Sequence, residues 1–231
     1  MESYINGRPG VRTERIASNR NVFRDGVIDF FYAGGKTING SLSRDSGNTG
    51  YLTTLRAGLP LGRITSSGKY APSIIGVTTN AEVVGSTAVE VTAAQAVELV
   101  RRVGATGTFT LRGPAGASGP VDTQTVTYSA VDTSTGAITV TALTKPFIAG
   151  SFVQPSDGSE FPRTVVPDGW GIKVTDPTGA DIDVEFEHGV PCGGCLLTAN
   201  LLHWPSDTSL RLFIKESLRS ASPLWMFDTD W

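Results

Sequence analysis

Short runs of alternating apolar and polar residues, separated by turn-forming residues, dominate the chain. The clearest runs are 123–130 and 137–143, and the segment 132–136 between them has the composition of a hairpin loop. Alternation with a period of two is typical of half-buried β-strands. The pattern therefore predicts a mainly β protein. Further short strands are predicted at 27–32, 51–56, 61–65 and 108–111.

A helix is predicted to interrupt this β pattern. Thr92 and Gln95 have the spacing of a capping box, in which each side chain bonds the backbone of the other residue. Gly104 indicates where the helix has ended. The apolar residues at helical spacing, expected to face the core, are Ala93, Ala96, Val97 and Val100.

The order of these elements predicts three parts of the chain. Residues 1–50 form an N-terminal arm and a lead-in strand, and residues 51–76 and 151–231 form a β body. Residues 77–150, with the predicted helix followed by three strands, are interpreted as an α+β subdomain inserted into that body.

A second, short helix is predicted near the C-terminus. Asp207 can accept hydrogen bonds from the first backbone N–H groups of this helix, and Pro223 lies beyond its end. The apolar tail that follows is expected to pack on the body or on a neighbouring subunit. The residues expected to serve in subunit or core packing are Leu210, Phe213, Ile214, Leu218, Trp225 and Phe227.

Residues 1–24 are basic, poor in apolar residues and without sustained periodicity. Such a segment cannot offset its ordering entropy alone, so we expect an extended arm that becomes ordered against a partner. A frayed terminus is the alternative interpretation. Guanidinium groups can form paired hydrogen bonds with carboxylates of a partner. The candidate partner-binding residues are Arg8, Arg12, Arg15, Arg20 and Arg24.

The overall charge and hydropathy exclude some classes of partner. The formal net charge is −3, so the chain lacks the excess of basic residues expected of a nucleic-acid-binding protein. The longest nearly apolar run, 195–204, is too short to span a bilayer. Residues 1–25 have no apolar core segment of a secretory signal, so we expect synthesis in a cytoplasm.

The two cysteines and two histidines of the chain fall in one window. His188, Cys192, Cys195 and His203 supply four donors, the number that a tetrahedral zinc site needs. A rigid Gly-Gly turn between two buried thiols explains the same pattern without a metal, and we expect neither a metal nor a cofactor. A redox role is disfavoured because thioredoxin-type C-x-x-C motifs lie at a helix start. No convincing Ser/His/Asp set is present, so no enzymatic activity is expected.

Three motifs together resemble a known family. The segment 55–70 reads LRAGLPLGRITSSGKY, the segment 157–160 reads DGSE, and the segment 200–205 reads NLLHWP before the second predicted helix. Their content and order resemble lambda-type bacteriophage head-decoration proteins. In that family a strand, a tight AG turn and a G-(K/R)-I-T strand lead to a GKY turn. The long arm and residues 77–150 depart from the compact members.

The resemblance implies both a fold and a function. The implied fold is a β-tulip or small β-barrel with an inserted α+β subdomain, an extended N-terminal arm and a short C-terminal helix. The implied function is that of a structural cement protein. It would bind the major capsid protein on the outer surface of the virion as a homotrimer and stabilise the shell against internal DNA pressure.

Further expectations follow from this resemblance. The protein would be made in the host cytoplasm and would bind neither nucleic acid nor a membrane directly. The threonine-rich stretch 108–142 leaves one alternative, a carbohydrate-binding or adhesive module of a phage head or tail fibre. Its candidate aromatic contact residues are Phe109, Tyr128 and Phe147.

Overall fold

The computed structural model describes residues 22–24, 30–32, 36–167, 171–186 and 189–230, and this part of the chain is mainly β. The described residues form sixteen strands in four sheets, together with two α-helices, and one sheet curls into a half-barrel. The helices are α1 (Ala93–Arg102) and α2 (Thr208–Ala221). The strands are β1 (Phe30–Tyr32), β2 (Thr37–Ile38), β3 (Thr54–Leu55), β4 (Pro60–Arg63), β5 (Tyr70–Pro72), β6 (Gly76–Val77), β7 (Ala88–Glu90), β8 (Gly107–Pro114), β9 (Val121–Val131), β10 (Ala137–Val140), β11 (Phe152–Gln154), β12 (Pro162–Val165), β13 (Ile172–Lys173), β14 (Val184–Glu185), β15 (Val190–Leu196) and β16 (Trp225–Phe227).

The largest sheet has the strand order β6-β11-β8-β9-β10-β7, and its centre is the long antiparallel pair β8–β9. One face of this sheet packs with α1 around a hydrophobic cluster whose buried members all lie between residues 75 and 153. The members of this first cluster are Ile75, Val89, Val91, Ala96, Leu99, Phe109, Leu111, Val126, Tyr128, Ile138, Val140, Leu143, Phe147 and Val153.

Helix α1 begins at the expected capping box, in which Thr92 accepts from the Gln95 backbone and the Gln95 side chain accepts from the Thr92 backbone. The expected apolar face is right for Ala96, which is buried, but wrong for Val97, which is 47% exposed, and it omits Leu99, which is fully buried. Apolar residues occupy several faces of this helix. Contacts with distant strands therefore decide which face of α1 packs on the sheet, and local periodicity does not.

Helix α2 begins after Asp207, whose carboxylate accepts hydrogen bonds from the backbone N–H groups of Ser209 and Leu210. The helix covers a second hydrophobic cluster. Beyond Pro223, strand β16 pairs in parallel with β15, with Cys195 opposite Met226. The apolar tail is thus a strand of the body. The second cluster consists of Val22, Phe23, Ala57, Ile74, Phe152, Val165, Leu196, Leu201, Leu210, Ile214, Leu218, Trp225 and Phe227.

The remaining core lies under the five-stranded sheet β12-β4-β5-β2-β14. The expected strand at 51–56 is wrong in extent, because only Thr54–Leu55 pairs in a sheet. The backbone N–H groups of Tyr51 and Thr54 instead bond the carbonyls of Asn48 and Tyr51, which makes consecutive turns. Within the described segments, no helix is long and apolar enough to cross a membrane.

The hairpin between β9 and β10 forms where it was expected, with the Asp132 N–H donating to the Ala137 carbonyl. The Asp132 carboxylate accepts from the Ser134 hydroxyl, 2.6 Å away, and from two backbone N–H groups of the turn. The bonds from Ser134 and Thr135 lower the pKa of Asp132 from 3.8 to about 2.

The carboxylate of Asp132 is therefore expected to titrate with a midpoint near pH 2 in the folded protein, as followed by carboxyl ¹³C NMR. Since the folded-state pKa is depressed, its contribution to the hairpin is complete above pH 3.8 and is lost as the pH falls towards 2. Ser134→Ala should move the midpoint upward. Thr133→Ala is the matched control, and an equal effect of both variants would contradict this assignment.

Candidate binding surface

The three motif segments that carry the family resemblance meet in space. The Leu202 N–H donates to the Gly58 carbonyl over 2.9 Å, which joins the first motif to the third. A Cβ on Gly58 would lie 2.5 Å from the Asn200 carbonyl oxygen, and Gly58 has φ +84°. Both the close approach and the left-handed backbone require glycine at this position.

The second motif contacts the first in the same way. The Thr65 N–H donates to the Asp157 carbonyl over 2.9 Å. A Cβ on Gly62 would lie 1.8 Å from the Ser159 carbonyl oxygen. Strand β4 and the turn 157–160 are therefore in backbone contact, and we call the region where 58–65, 157–160 and 200–202 meet the motif junction.

Arg102, from the end of α1, also reaches the motif junction. Its buried guanidinium donates to the Pro72 carbonyl and to Ser159 Oγ, 2.6 Å away, and lies 3.4 Å from the Asp157 carboxylate. Burial would raise the pKa of Asp157, but the Arg102 cation and the bonds from Ser159 lower it below its ordinary value. Local sequence patterns cannot show this role of Arg102, because its partners are thirty or more positions away in the chain.

A cleft of about 440 Å³ opens beside the motif junction. Its walls combine aromatic, cationic and small side chains, and the Tyr32 hydroxyl at one side donates to the Ala221 carbonyl over 3.0 Å. Burial raises the pKa of Tyr70, while the nearby Arg63 and Arg163 oppose that rise. The residues lining this cleft are Tyr32, Arg63, Ile64, Thr65, Tyr70, Gly158, Arg163 and Ala221.

The β1–β15–β16 sheet carries exposed apolar side chains. Phe30 is 45% exposed, Leu224 is 42% exposed and Met226 is 41% exposed. A Cβ on Gly193 would lie 2.6 Å from Leu224 Cβ and 2.8 Å from Phe30 Cδ2, so the side chains of Leu224 and Phe30 flank this glycine. We call these three residues the apolar outer face, and exposed apolar groups of this kind are typical of contact surfaces.

Of the predicted partner-binding arginines, Arg24 lies among the described residues and is exposed. Nearby Phe23 stacks on Trp225 with ring centroids 6.1 Å apart, so the chain meets the body before Arg24. The predictions for Arg8, Arg12, Arg15 and Arg20 lie outside the described residues.

Five of the six predicted packing residues are buried in the second cluster of the body itself. Phe213 is only partly buried, and its ring lies 4.2 Å from the Arg112 guanidinium carbon. Arg112 also bonds the Gln154 side chain over 2.7 Å. The buried five are Leu210, Ile214, Leu218, Trp225 and Phe227.

The expected Gly-Gly turn between the cysteines is wrong, because Cys192 and Cys195 both lie within strand β15 and are free thiols. Because side chains alternate along a strand, Cys192 and Cys195, which are three positions apart, have their side chains on opposite faces of the sheet. Burial raises the pKa of Cys192 and lowers that of His203, whose charged neighbours are Asp45 and Arg56. The Gly-Gly pair favours a turn locally, whereas the close contacts of Gly193 with Leu224 and Phe30 come from distant parts of the chain.

His188, the fourth candidate zinc donor, lies outside the described residues. Across the described ranges, no three His, Cys, Asp or Glu side chains are grouped as metal ligands would be. The aromatic residues considered for glycan stacking, Phe109, Tyr128 and Phe147, all lie buried in the first cluster. They form part of the core and present no stacking platform.

Comparisons with known proteins add no assignment. No family model matches the chain, and neither the curated proteins nor the solved structures give a significant match.

Proposed function

We propose that this chain is a structural decoration, or cement, protein of a bacteriophage head. It binds the major capsid protein on the outer surface of the virion as a homotrimer and has no enzymatic activity. The observation that carries this proposal is the motif junction. Three segments that resemble the decoration family are separated by up to about 130 residues, yet they form one contiguous unit through backbone contacts at Gly58 and Gly62.

We further propose that residues 51–76 and 151–231 form a decoration-type β body and that residues 77–150 form an inserted α+β subdomain. The first hydrophobic cluster supports this division, because twelve of its fourteen buried residues lie within 77–150 and the other two, Ile75 and Val153, lie next to its ends.

The contact surfaces of the proposed trimer are the N-terminal arm and the apolar outer face. An extended segment can add to a sheet edge of a partner through backbone hydrogen bonds. Apolar side chains such as Phe30 and Met226 gain about 25 cal/mol for each Å² of apolar surface that a partner covers. Three arms on one trimer bind together, so the avidity exceeds the affinity of a single arm.

Purified protein is expected to have three times the 24.3 kDa chain mass by light scattering and to co-sediment with expanded, undecorated phage heads. Density at the threefold positions of the shell, seen by electron cryomicroscopy, would locate the trimers. A monomer that leaves such heads bare would overturn the proposal, and binding to a glycan array instead would favour the adhesive module.

Deleting residues 1–20 is expected to weaken attachment to heads about a hundredfold while the body stays folded. The deletion stops before Val22 and Phe23, because both are buried in the second cluster. A second variant keeps the length of the arm and changes Arg8, Arg12, Arg15 and Arg20 to Gln, and it should also weaken attachment because it removes the cations that would pair with carboxylates of the shell. Unchanged occupancy of the heads by the deletion variant would exclude a role for the arm.

A further inference from the structure

We infer that the cleft beside the motif junction is a receptor for side-chain carboxylates of an acidic polypeptide segment. The inference goes beyond the proposed function, since it requires only an acidic segment in the partner and no capsid. It rests on the positions of Arg63, Tyr70 and Arg163 and on the charges around them.

The pairing of strands brings Arg63 and Tyr70 to one side of the sheet. The two residues are directly opposite each other in the antiparallel pair β4–β5, and opposite residues have side chains on the same face. Arg163 lies in β12, which pairs with the other edge of β4, at a register shift between Pro162 and Thr164. Such a shift redirects a side chain, and here Arg163 lines the same cleft.

The Arg63 guanidinium is held in place by the turn that follows its strand. Its Nε donates to the Gly68 carbonyl over 3.1 Å. A Cβ on Gly68 would lie 3.0 Å from Arg63 Nη2, and Gly68 has φ +69°, so glycine permits both the turn and the contact. With Nε occupied, the terminal N–H groups of this guanidinium are available to a ligand.

Among the residues that the structure describes, the cations of the cleft have no matching anion. Within the described part of the chain, neither Arg63 nor Arg163 forms an ion pair. The two carboxylates of the turn 157–160 have hydrogen bonds to other groups. Asp157 accepts from Ser159 and Arg102, and Glu160 accepts from the Gly158 N–H over 2.7 Å.

The chemistry of this cleft favours carboxylates over a nucleic-acid backbone. Guanidinium groups form paired hydrogen bonds with a planar carboxylate, and the hydroxyl of Tyr70 adds a further donor at the same side. Proteins that bind nucleic acid commonly neutralise about six to ten phosphates. Two arginines on a chain with a net charge of −3 do not supply such a surface.

The test titrates the full-length protein with acetyl-Gly-Glu-Gly-Glu-Gly-amide and follows the arginine Nε–H signals by NMR. The signals of Arg63 and Arg163 should shift on binding, and the glutamine counterpart of the peptide should cause no shift. Arg163→Gln should weaken binding about tenfold. This variant is chosen because Arg63→Gln would also remove the bond to Gly68.

Lys173→Gln is the matched control, because it removes one positive charge from an exposed residue on β13 outside the cleft. It should change the affinity by less than about twofold, the small effect of a screened surface charge. Equal weakening by both variants, or equal binding of the glutamine peptide, would overturn the inference. Displacement of the peptide by inorganic phosphate at lower concentration than by acetate would assign the cleft to phosphate and equally overturn it.

Discussion

Gly62→Ala is expected to lower the free energy of unfolding by about 3 kcal/mol, the upper part of the usual range for an overpacked site. The added methyl carbon would lie 1.8 Å from the Ser159 carbonyl oxygen and 2.5 Å from the carbonyl carbon. Both are backbone atoms, so no side-chain rotation relieves the contact. The turn 157–160 must then move away from β4, which also strains the bond between Thr65 and Asp157.

Gly116→Ala is the matched control for this substitution, because a Cβ on Gly116 meets nothing within 4 Å. Its effect should stay within about 0.5 kcal/mol, as is usual for exposed sites. Chemical denaturation of both variants with unchanged slopes gives the comparison. A Gly62→Ala protein as stable as the Gly116→Ala protein would show that the motif segments do not meet as described.

Trp225→Ala is expected to destabilise the protein by about 3–5 kcal/mol, as is typical when a large aromatic side chain is removed from a core. The indole is 1% exposed and stacks on Phe23. Its loss leaves a cavity between α2 and the β15–β16 pair that the neighbouring backbone cannot close.

Met226→Ala is the control for Trp225→Ala, because Met226 occupies the next position of the same strand but is 41% exposed. Because Met226 belongs to the proposed contact surface, its effect is measured at a protein concentration at which light scattering finds the monomer, and it should be within about 0.5 kcal/mol. Calorimetry and denaturant unfolding measure both variants. Equal destabilisation by the two substitutions would contradict the burial of Trp225 and the exposure of Met226, and a larger effect of Met226→Ala would mean that β16 has the opposite face towards the core.

Local signals in the sequence predicted those parts of the fold whose interactions are local. The Thr92 capping box, the Asp207 cap and the hairpin at 132–136 all close hydrogen bonds within a few residues, and each forms. The inward face of α1 could not be read in the same way. Ala96 and Leu99 are buried because of where β10 and β6 lie, and Val97 is as apolar as either.

The candidate site shows the same division between local and distant contacts. Cys192-Gly-Gly-Cys195 looks like a turn in sequence, whereas Gly193 is needed for the approach of Phe30 from β1 and of Leu224, which precedes β16. Sequence patterns do not single out the cleft arginines, because Arg63 and Arg163 are a hundred positions apart and only the β4–β12 pairing brings them together. Strand register of this kind is set by the whole sheet.

The burial of Arg102 has a consequence for how this chain can change over evolution. This cation lies at the end of α1, while the oxygens that receive it belong to Pro72, Asp157 and Ser159. A shorter chain without α1 would leave the Pro72 carbonyl and the Ser159 hydroxyl without this buried donor, and an unpaired polar group in a protein interior is destabilising. A shortened descendant would therefore need new residues at the turn before it could fold as well as its parent.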